Sequence, residues 1–259
     1  LNYLFISTHS PFILNDMDDV NLVRIYNSDK IISGSEFYHV PDEWSKVKKK
    51  LNRSLSEAIF ADKVLLVEGE SECILFERVL SQIDPYYESK GICVVSVEGI
   101  GFSPYFEILS KLGIKCVMQT DNDITKVKGK DLYQTLGFSR VNKLVKLLDG
   151  NIELLPTSAS LSAEEASNYA KRSRYNDNKT ILDGFRTSFG IYLSRCGLEE
   201  DLYECLDERL VDLIEIDPVK HLKKSKQHNM VELVSKLEKE DCDKIYNHYN
   251  FACLKAVQE

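Results

Sequence analysis

The feature that most constrains the fold is a regular alternation of apolar runs and helical patterns that begins at residue 63. Residues 63–69, 91–99 and 115–123 read KVLLVEG, GICVVSVEG and KCVMQTDND, and each contains a short apolar, strand-like run. Between them, SECILFERVLSQI and SPYFEILSKLG have the periodicity of helices. Strands that alternate with helices across short connections are typical of βαβ units, so we predict an α/β fold around a mainly parallel sheet.

The N-terminal flank has a different pattern. Residues 1–10 (LNYLFISTHS) form an apolar, strand-like run without an initiating methionine, so we expect the chain to begin inside a larger protein. Residues 21–27 and 34–40 are two short β-type runs. Residues 44–60 place apolar side chains four positions apart, which predicts an amphipathic helix.

The C-terminal flank is predicted to be mostly helical. Residues 158–174 (SASLSAEEASNYAKRSR) predict a helix that begins at a serine cap. Residues 189–206 predict a last strand followed by a helix, and residues 217–259 predict a charged helical tail. Within that tail we expect residues 229–241 (NMVELVSKLEKED) to form one amphipathic helix.

Composition restricts the class of protein. No window approaches the roughly 18 uninterrupted apolar residues of a membrane span, and no signal sequence is visible, so we expect a soluble, cytoplasmic protein. The seven cysteines are odd in number and form no C-x-x-C pair, which argues against a disulfide framework and a zinc ribbon. The net charge of −8 argues against an anionic partner. The charge is uneven, however, because three segments of this acidic chain are basic: residues 46–53, 126–130 and 220–226. Solvated helix faces would also explain these segments.

Acidic residues gather where the predicted strands end. Glu68 follows the first strand, and Glu72 lies in the first turn of the next helix. Asp121 and Asp123 end another strand, two residues apart, so both can face the same ion. The carboxyl ends of parallel strands meet at one edge, and carboxylates are ligands for Mg²⁺, so we interpret the group as a metal site for phosphate chemistry. Acids that merely favour a helix N-terminus remain the simpler alternative.

These motifs resemble Toprim domains. A glutamate in VEG after an apolar strand, with D-x-D some fifty residues later, is similar to the Toprim domain of topoisomerases, bacterial primases and a group of nucleases. The segment EGESE at residues 68–72 resembles the OLD (overcoming lysogenization defect) family of nucleases in particular. The resemblance implies a Rossmann-like, mainly parallel sheet flanked by helices.

The first residues resemble a second part of the OLD family. FISTHSPFIL is similar to the end of an ABC-type ATPase domain, in which a histidine at the position of His9 senses the γ-phosphate of ATP. OLD nucleases join such a domain to a C-terminal Toprim domain in this order. The resemblance implies an ATPase tail with a connecting helix at residues 1–60, a Toprim domain at 61–205 and a helical extension at 206–259. ATP would act only in the full-length protein.

Segments along most of the chain are similar to the nuclease subunits of Gabija anti-phage systems: STHSP, VKKKLN, TDND, KSK, NMVELV and FACLK. In that family a third acidic segment and a distal lysine complete the site, which implies roles for Glu199 and Lys226. One departure is Gly197, where the family has an aspartate. Either Glu199 and Asp201 suffice without it, or the site is weakened.

The resemblance implies a DNA endonuclease that uses two Mg²⁺ or Mn²⁺ ions. The expected catalytic residues are Glu68, Asp121, Asp123 and Lys226. The expected metal ligands are Glu68, Glu72, Asp121, Asp123, Glu199 and Asp201. The expected phosphate contacts to DNA, which would be independent of base sequence, are Lys126, Lys128, Lys130 and Lys224. The resemblance also implies a helicase-like partner subunit, a homo-oligomer and a location in the bacterial cytoplasm.

Other interpretations stay open at this point. The chain could be a catalytically idle Toprim scaffold that assembles or regulates the ATPase, and Gly197 is the feature that keeps this alternative. A topoisomerase needs a cleaving tyrosine and a primase usually brings a zinc module, and neither is recognisable here. A phosphoacceptor domain built on Asp121 leaves Lys226 without a role. Gly99 and Gly101 lack the third glycine of a dinucleotide motif, so we interpret them as a close backbone approach near the site.

Overall fold

The computed structural model of the protein describes most of the chain from residue 55 onward and parts of the segment before it. The described residues are 4–10, 21–28, 31–35, 38–39, 55–56, 58–99, 101–149, 151–214 and 216–259. Within them, the strands are β1 (Asn21–Leu22), β2 (Ile25–Ser28), β3 (Ile31–Gly34), β4 (Tyr38–His39), β5 (Lys63–Val67), β6 (Ile92–Ser96), β7 (Lys115–Thr120), β8 (Ile124–Lys126), β9 (Tyr133–Thr135) and β10 (Ile191–Leu193).

Helices occupy most of the remaining described chain. They are α1 (Glu70–Ile83), α2 (Phe102–Lys111), α3 (Leu136–Leu148), α4 (Asn168–Asp177), α5 (Lys179–Phe189), α6 (Leu198–Leu206), α7 (Glu208–Ile214), α8 (Pro218–Lys224), α9 (Lys226–Lys236), α10 (Lys239–Asn247) and α11 (Cys253–Gln258). Short 3₁₀ turns lie at Glu88–Lys90 and Tyr249–Phe251. Every helix in the described part of the chain is too short or too polar to cross a bilayer.

A four-stranded parallel sheet organises the fold, in the strand order β10-β7-β5-β6. Three antiparallel pairs accompany it: β1 with β4, β2 with β3, and β8 with β9. The parallel order requires crossovers, and helices supply them, as in other βαβ arrangements. The predicted α/β class with a mainly parallel sheet is therefore confirmed.

Strand β5 is apolar along its length because both of its faces are covered. Val64 and Leu66 pack into a core with side chains of α2, α3 and α5. Leu65 and Val67 point to the opposite face and pack with α1 and the C-terminal helices. All four side chains have no exposed surface. Burial on both sides accounts for the continuous run VLLV, which would alternate with polar residues if one face met water.

The C-terminal helices form part of the second core. Helices α9 and α10 pack on α1, and α11 packs on β5 and β7. The Arg209 guanidinium donates from Nε and Nη2 to the two carboxylate oxygens of Asp241, each at 3.0 Å, which ties α7 to α10. The predicted helical tail is therefore correct, while the domain boundaries at residues 60 and 205 stay predictions.

Several local predictions need correction. Residues 4–10 form neither a helix nor a strand, and the structure pairs them with no strand among the described residues. Most of the helix predicted at 44–60 lies outside the described residues, and residues 55, 56 and 58 are helical. The helix predicted at 158–174 begins only at Asn168, because Leu161 pairs with Tyr133 next to β8 and β9.

Capping explains two helix boundaries. A serine does cap α4, but it is Ser167 and not one at the start of the predicted segment; its Oγ accepts from the Ala170 amide at 3.3 Å. The single helix predicted at 229–241 is two helices, because a capping box between Glu238 and Asp241 starts α10. The carbonyl of Leu237 at the break accepts from Arg78 Nη2 at 2.9 Å.

The glycines at residues 99 and 101 also have a different role from the predicted one. No described atom lies within 4 Å of a Cβ position at Gly99 or Gly101, so no described part of the protein packs closely against either glycine. Both have positive φ, 75° and 93°, which explains the glycines by backbone conformation.

Shortening a buried side chain of β5 should destabilise the protein strongly. Leu66→Ala removes methyl groups that have no exposed surface, so we expect the free energy of unfolding to fall by ~2–5 kcal/mol. Leu147→Ala is the matched control, because that side chain is 59% exposed and should change stability by less than ~0.5 kcal/mol. Urea unfolding followed by circular dichroism measures both, and equal effects would contradict the assignment of β5 to the core.

Candidate active site

Carboxylates from three strand–helix junctions converge at the carboxyl edge of the parallel sheet. Glu68 follows β5 and Glu72 lies in the first turn of α1. Asp121 and Asp123 follow β7, and Glu199 lies in the first turn of α6 after β10. The amide of Asp121 donates to Glu68 Oε1 at 2.8 Å, which joins the first two junctions. We call these five residues the acidic group.

Two members of the acidic group, Asp121 and Glu72, have raised pKa values. Burial, followed by the negative charges of the other four carboxylates, raises the pKa of Asp121 well above its usual range. Burial also raises the pKa of Glu72 to about 7, with Glu68 and Glu199 adding to the effect and Lys226 opposing it. For both groups burial is the largest cause, and the neighbouring carboxylates add to it.

Hydroxyl groups at the strand ends fix two of these carboxylates. Thr120 Oγ1, at the end of β7, donates to Glu68 Oε1. Ser194 follows β10, and its Oγ donates to Asp121 Oδ1 at 3.2 Å while accepting from Gln119 Nε2 at 2.9 Å. The sequence analysis did not identify Thr120 or Ser194, although their positions directly at strand ends were a usable signal.

Arg140 is the cation that contacts the acidic group on the α3 side. Its Nη1 donates to Glu68 Oε1 and to Thr120 Oγ1, the latter at 2.6 Å. Its Nη2 donates to Asp123 Oδ2 at 3.0 Å. The guanidinium therefore bridges the carboxylates that follow β5 and β7. Arg140 was not among the residues predicted from the sequence, because only the packing of α3 on residues 121–123 places it at this edge.

Gly137 lets α3 approach this edge. A Cβ at residue 137 would lie 2.6 Å from the Asp121 carbonyl oxygen and 2.9 Å from the Asn122 Cα and the Asp123 nitrogen. The amide of Gly137 donates to the Asp123 carbonyl at 3.0 Å. Because residues three apart share a helix face, this close packing directs Arg140 towards the carboxylates.

Two acids at the start of α6 each contact a lysine from the C-terminal helices. Lys226 Nζ lies 3.6 Å from Oε1 of Glu199, whose side chain is 3% exposed. Glu200 accepts from Lys223 Nζ and, at 2.9 Å, from Asn168 Nδ2. Partial burial lowers the pKa of Lys226, but the nearby carboxylates outweigh it and raise that pKa above its usual value. Lys226 is therefore protonated at neutral pH. The sequence analysis missed Glu200 and Lys223.

Asp201 has a structural environment instead. Its Oδ2 accepts from the Arg195 amide at 2.9 Å and its Oδ1 accepts from the Cys196 amide at 3.2 Å. Burial raises the pKa of Asp201 to about 7 against these backbone bonds. Both oxygens are engaged in closing the turn before α6, so the structure does not bring Asp201 into the acidic group.

Gly197 lies directly beside Asp121. A Cβ at this position would be 3.3 Å from Glu200 Oε2 and 3.5 Å from Asp121 Oδ2. A side chain at position 197 would therefore contact the carboxylates of both Asp121 and Glu200. The departure noted in the sequence thus coincides with a buried glutamate held by Lys223.

The other residues predicted from the sequence are exposed and show no described contact with the acidic group. Lys128 and Lys130 are exposed in the turn between β8 and β9, and Lys126 pairs with Asp131 at 2.8 Å. Lys224 is exposed at the end of α8. His9 is also exposed, and its ring centroid lies 6.3 Å from that of Phe60, away from any described contact with the acidic group.

The donor chemistry of the acidic group suits a divalent cation, because carboxylate oxygens are hard ligands and their mutual repulsion favours a positive ion between them. As they stand, however, no three acidic, histidine or cysteine side chains of the described residues are arranged to hold one. Arg140 accounts for part of this, since it lies between Glu68 and Asp123.

Comparisons with known proteins agree with the sequence analysis. Residues 59–123 match the family described as overcoming lysogenization defect protein-like, Toprim domain. The chain is 40% identical over 264 residues to endonuclease GajA of Bacillus cereus (strain VD045), a match that covers 98% of this chain and 45% of that protein. The chain therefore spans about half the length of this relative.

A solved structure has the same fold. The C-terminal region of the OLD protein of Xanthomonas campestris pv. campestris matches with a TM-score of 0.50 and 19% identity. The match covers 78% of this chain and 94% of that one. At this identity the likeness concerns the fold alone; together with the family match at residues 59–123 it confirms the predicted Toprim fold.

A side chain at residue 137 should disturb the site by steric overlap. Gly137→Ala places a methyl group within 3 Å of the Asp121–Asp123 backbone, so we expect a loss of ~1–3 kcal/mol in stability. Gly184→Ala is the matched control, because Gly184 is also helical and nothing lies within 4 Å of its Cβ position. The control should gain up to ~1 kcal/mol. Thermal unfolding of both variants measures the difference, and two gains would refute the close packing.

The acidic group should make the metal-free protein less stable as the pH rises. Glu72 has a folded-state pKa of about 7 against an ordinary 4.5, so between these values the native state holds a proton that the unfolded chain releases. The contribution of the Glu72 carboxyl to the free energy of unfolding is therefore fully present below pH 4.5, and it is lost as the pH rises to about 7. Glu72→Gln should lessen the loss between pH 5 and pH 7.5.

Urea midpoints in EDTA at the two pH values measure this effect. Glu70→Gln, an exposed acid in the same helical turn, is the control and should retain the wild-type pH dependence. An unchanged slope in Glu72→Gln would show that Glu72 does not titrate in this range.

Proposed function

We propose that this chain, which carries an OLD-like Toprim domain at residues 59–123, hydrolyses phosphodiester bonds of DNA with the help of divalent metal ions. The observation that carries the proposal is the convergence of Glu68, Asp121 and Asp123 at one sheet edge, with protonated Lys226 beside Glu199. The relative that is 40% identical is named an endonuclease. The chain spans only 45% of that relative. An endonuclease activity of this chain is therefore our proposal.

The acidic group would hold the ions, which are Mg²⁺ or Mn²⁺. The ligands we propose are Glu68, Glu72, Asp121, Asp123 and Glu199. Bound metal would supply Lewis-acid stabilisation of the phosphate and a more acidic water. Asp201 is left out of this set, because backbone amides occupy both of its oxygens. We propose two ions, and the metal-to-protein stoichiometry at saturation measures their number.

The protein's own groups have separate tasks in this proposal. Ser194 and Thr120 orient Asp121 and Glu68 through their hydroxyls. Lys226 is charged and close to the carboxylates, so it can donate a proton to the leaving oxygen or neutralise charge on the phosphate. Exposed Lys128, Lys130 and Lys224, with Lys126, would contact DNA phosphates without reading the bases.

The Gabija resemblance extends the proposal to anti-phage defence in the bacterial cytoplasm. A nuclease of this kind would act in a homo-oligomer with a helicase-like partner subunit. ATP would control it through an ABC-type ATPase domain, and His9 would belong to that domain as a sensor of the γ-phosphate.

A catalytically idle Toprim scaffold is the second candidate. Gly197 favours it, because this position lies beside Asp121 and contributes no ligand of its own. In the described part of the chain, no three acidic, histidine or cysteine side chains are arranged as metal ligands, which the scaffold does not require. In the scaffold the acidic group would stabilise assembly without chemistry.

Nicking of supercoiled plasmid tests the nuclease against the scaffold. The wild type should convert supercoiled to open-circular DNA with Mg²⁺ or Mn²⁺ and should stop in EDTA. Glu68→Gln and Asp121→Asn should abolish cutting, and Lys226→Ala should slow it by about 100-fold or more, the usual contribution of a positioned acid. Exposed Lys239 lies at the start of α10, so Lys239→Ala should cut like the wild type. A folded wild type that binds metal and DNA but never cuts would favour the scaffold.

A further inference from the structure

We propose that Arg140 is an internal counter-ion of Glu68 and Asp123 that competes with a divalent cation for these two carboxylates. Metal binding at these two carboxylates then requires the guanidinium to leave them. Arg140 thereby sets the metal affinity of the site while it stabilises the metal-free fold. This inference rests on the proposed metal site and adds a positioning residue to it.

The hydrogen bonds of Arg140 reach the oxygens that a cation would use. Nη1 contacts Glu68 Oε1, and Nη2 donates to Asp123 Oδ2 at 3.0 Å. Glu68 Oε1 already accepts from Thr120 Oγ1 and from the Asp121 amide. A metal ion that bound this oxygen would face the positive guanidinium at contact distance. The two cations therefore compete for the same pair of carboxylates.

The guanidinium position is defined by the packing of α3. Gly137 brings the helix against the backbone of residues 121–123, and Arg140 follows on the same face. The Arg140 side chain is 21% exposed, and Thr120 Oγ1 anchors it at 2.6 Å. A planar guanidinium can bridge two carboxylates with separate nitrogens, which a lysine ammonium does with less directional control.

The two cations at this edge neutralise different acids. Arg140 contacts Glu68 and Asp123. Lys226 contacts Glu199 and interacts with Asp121 and Glu72. Each carboxylate of the acidic group therefore interacts with one of two cations, and Arg140 is the one that bridges Glu68 and Asp123. Without Arg140, Glu68 keeps the Thr120 and Asp121 hydrogen bonds, but the charged bridge to Asp123 is lost.

Arg140→Gln should therefore have opposite effects on two measured quantities. Mn²⁺ should bind about tenfold more tightly or better, because binding no longer breaks charge-assisted hydrogen bonds. The melting temperature in EDTA should fall, because the acidic group loses its counter-ion. A residue with only a structural role would lower the melting temperature without tightening metal binding.

Electron paramagnetic resonance titration of free Mn²⁺ measures the dissociation constant without relying on cleavage. Arg140→Lys retains the charge, so its Mn²⁺ dissociation constant and its melting temperature should lie between those of the wild type and Arg140→Gln. This variant also tests the inference if Arg140→Gln folds poorly. Exposed Lys143 lies one turn further along α3, so Lys143→Gln is the matched control and should leave both quantities unchanged. Lys226→Gln tests a general charge effect and should tighten binding less than Arg140→Gln.

Each outcome decides the inference. Unchanged or weaker Mn²⁺ binding in both Arg140 variants would overturn it, as would equal tightening in Lys226→Gln. Asp121→Asn separates this failure from failure of the proposed function: if it binds Mn²⁺ like the wild type, the ion lies elsewhere and the proposed metal site is wrong. If neither the wild type nor Arg140→Gln binds Mn²⁺, both proposals fail. Binding by Arg140→Gln alone would support the inference most strongly.

Discussion

The parallel register between β5 and β7 is the constraint on which the candidate site depends. Leu66 pairs with Met118, so Glu68 emerges level with Thr120 and accepts from the next amide, that of Asp121. Apolar side chains on both faces of β5 hold this register, because a slip by one residue would exchange the two cores. Packing energy from the core thus keeps mutually repelling carboxylates together.

The same edge shows how the fold manages concentrated negative charge. Raised pKa values at Asp121 and Glu72 indicate that burial and repulsion act on them together. Arg140 comes from a helix inside the α/β layer, whereas Lys226 comes from the C-terminal helices. Both layers therefore contribute to one electrostatic balance, and the C-terminal helices belong to the site as well as to the second core.

Much of the fold and half of the site could be predicted from the sequence, because periodicity and strand ends are local signals. The run KVLLV, the acids of EGESE and the D-x-D pair identified β5, β7 and four carboxylates directly. Tertiary effects defeated the other predictions. Helix α4 begins later than predicted because Leu161 pairs with Tyr133. Asp201 lies outside the acidic group because both of its oxygens accept from backbone amides. Gly137 and Arg140 owe their positions to the packing of α3 against residues 121–123.

The glycine of α3 has a consequence for recognising related sites in other chains. Where a helix must touch the backbone of a D-x-D segment, the contacting position admits no side chain, and an arginine three residues later shares its face. The segment GFSR at residues 137–140 is thus a readable signature, G-x-x-R after D-x-D. A Toprim-like sequence that has the acids but lacks this pair would need another source of positive charge, or would keep its carboxylates open to metal from the start.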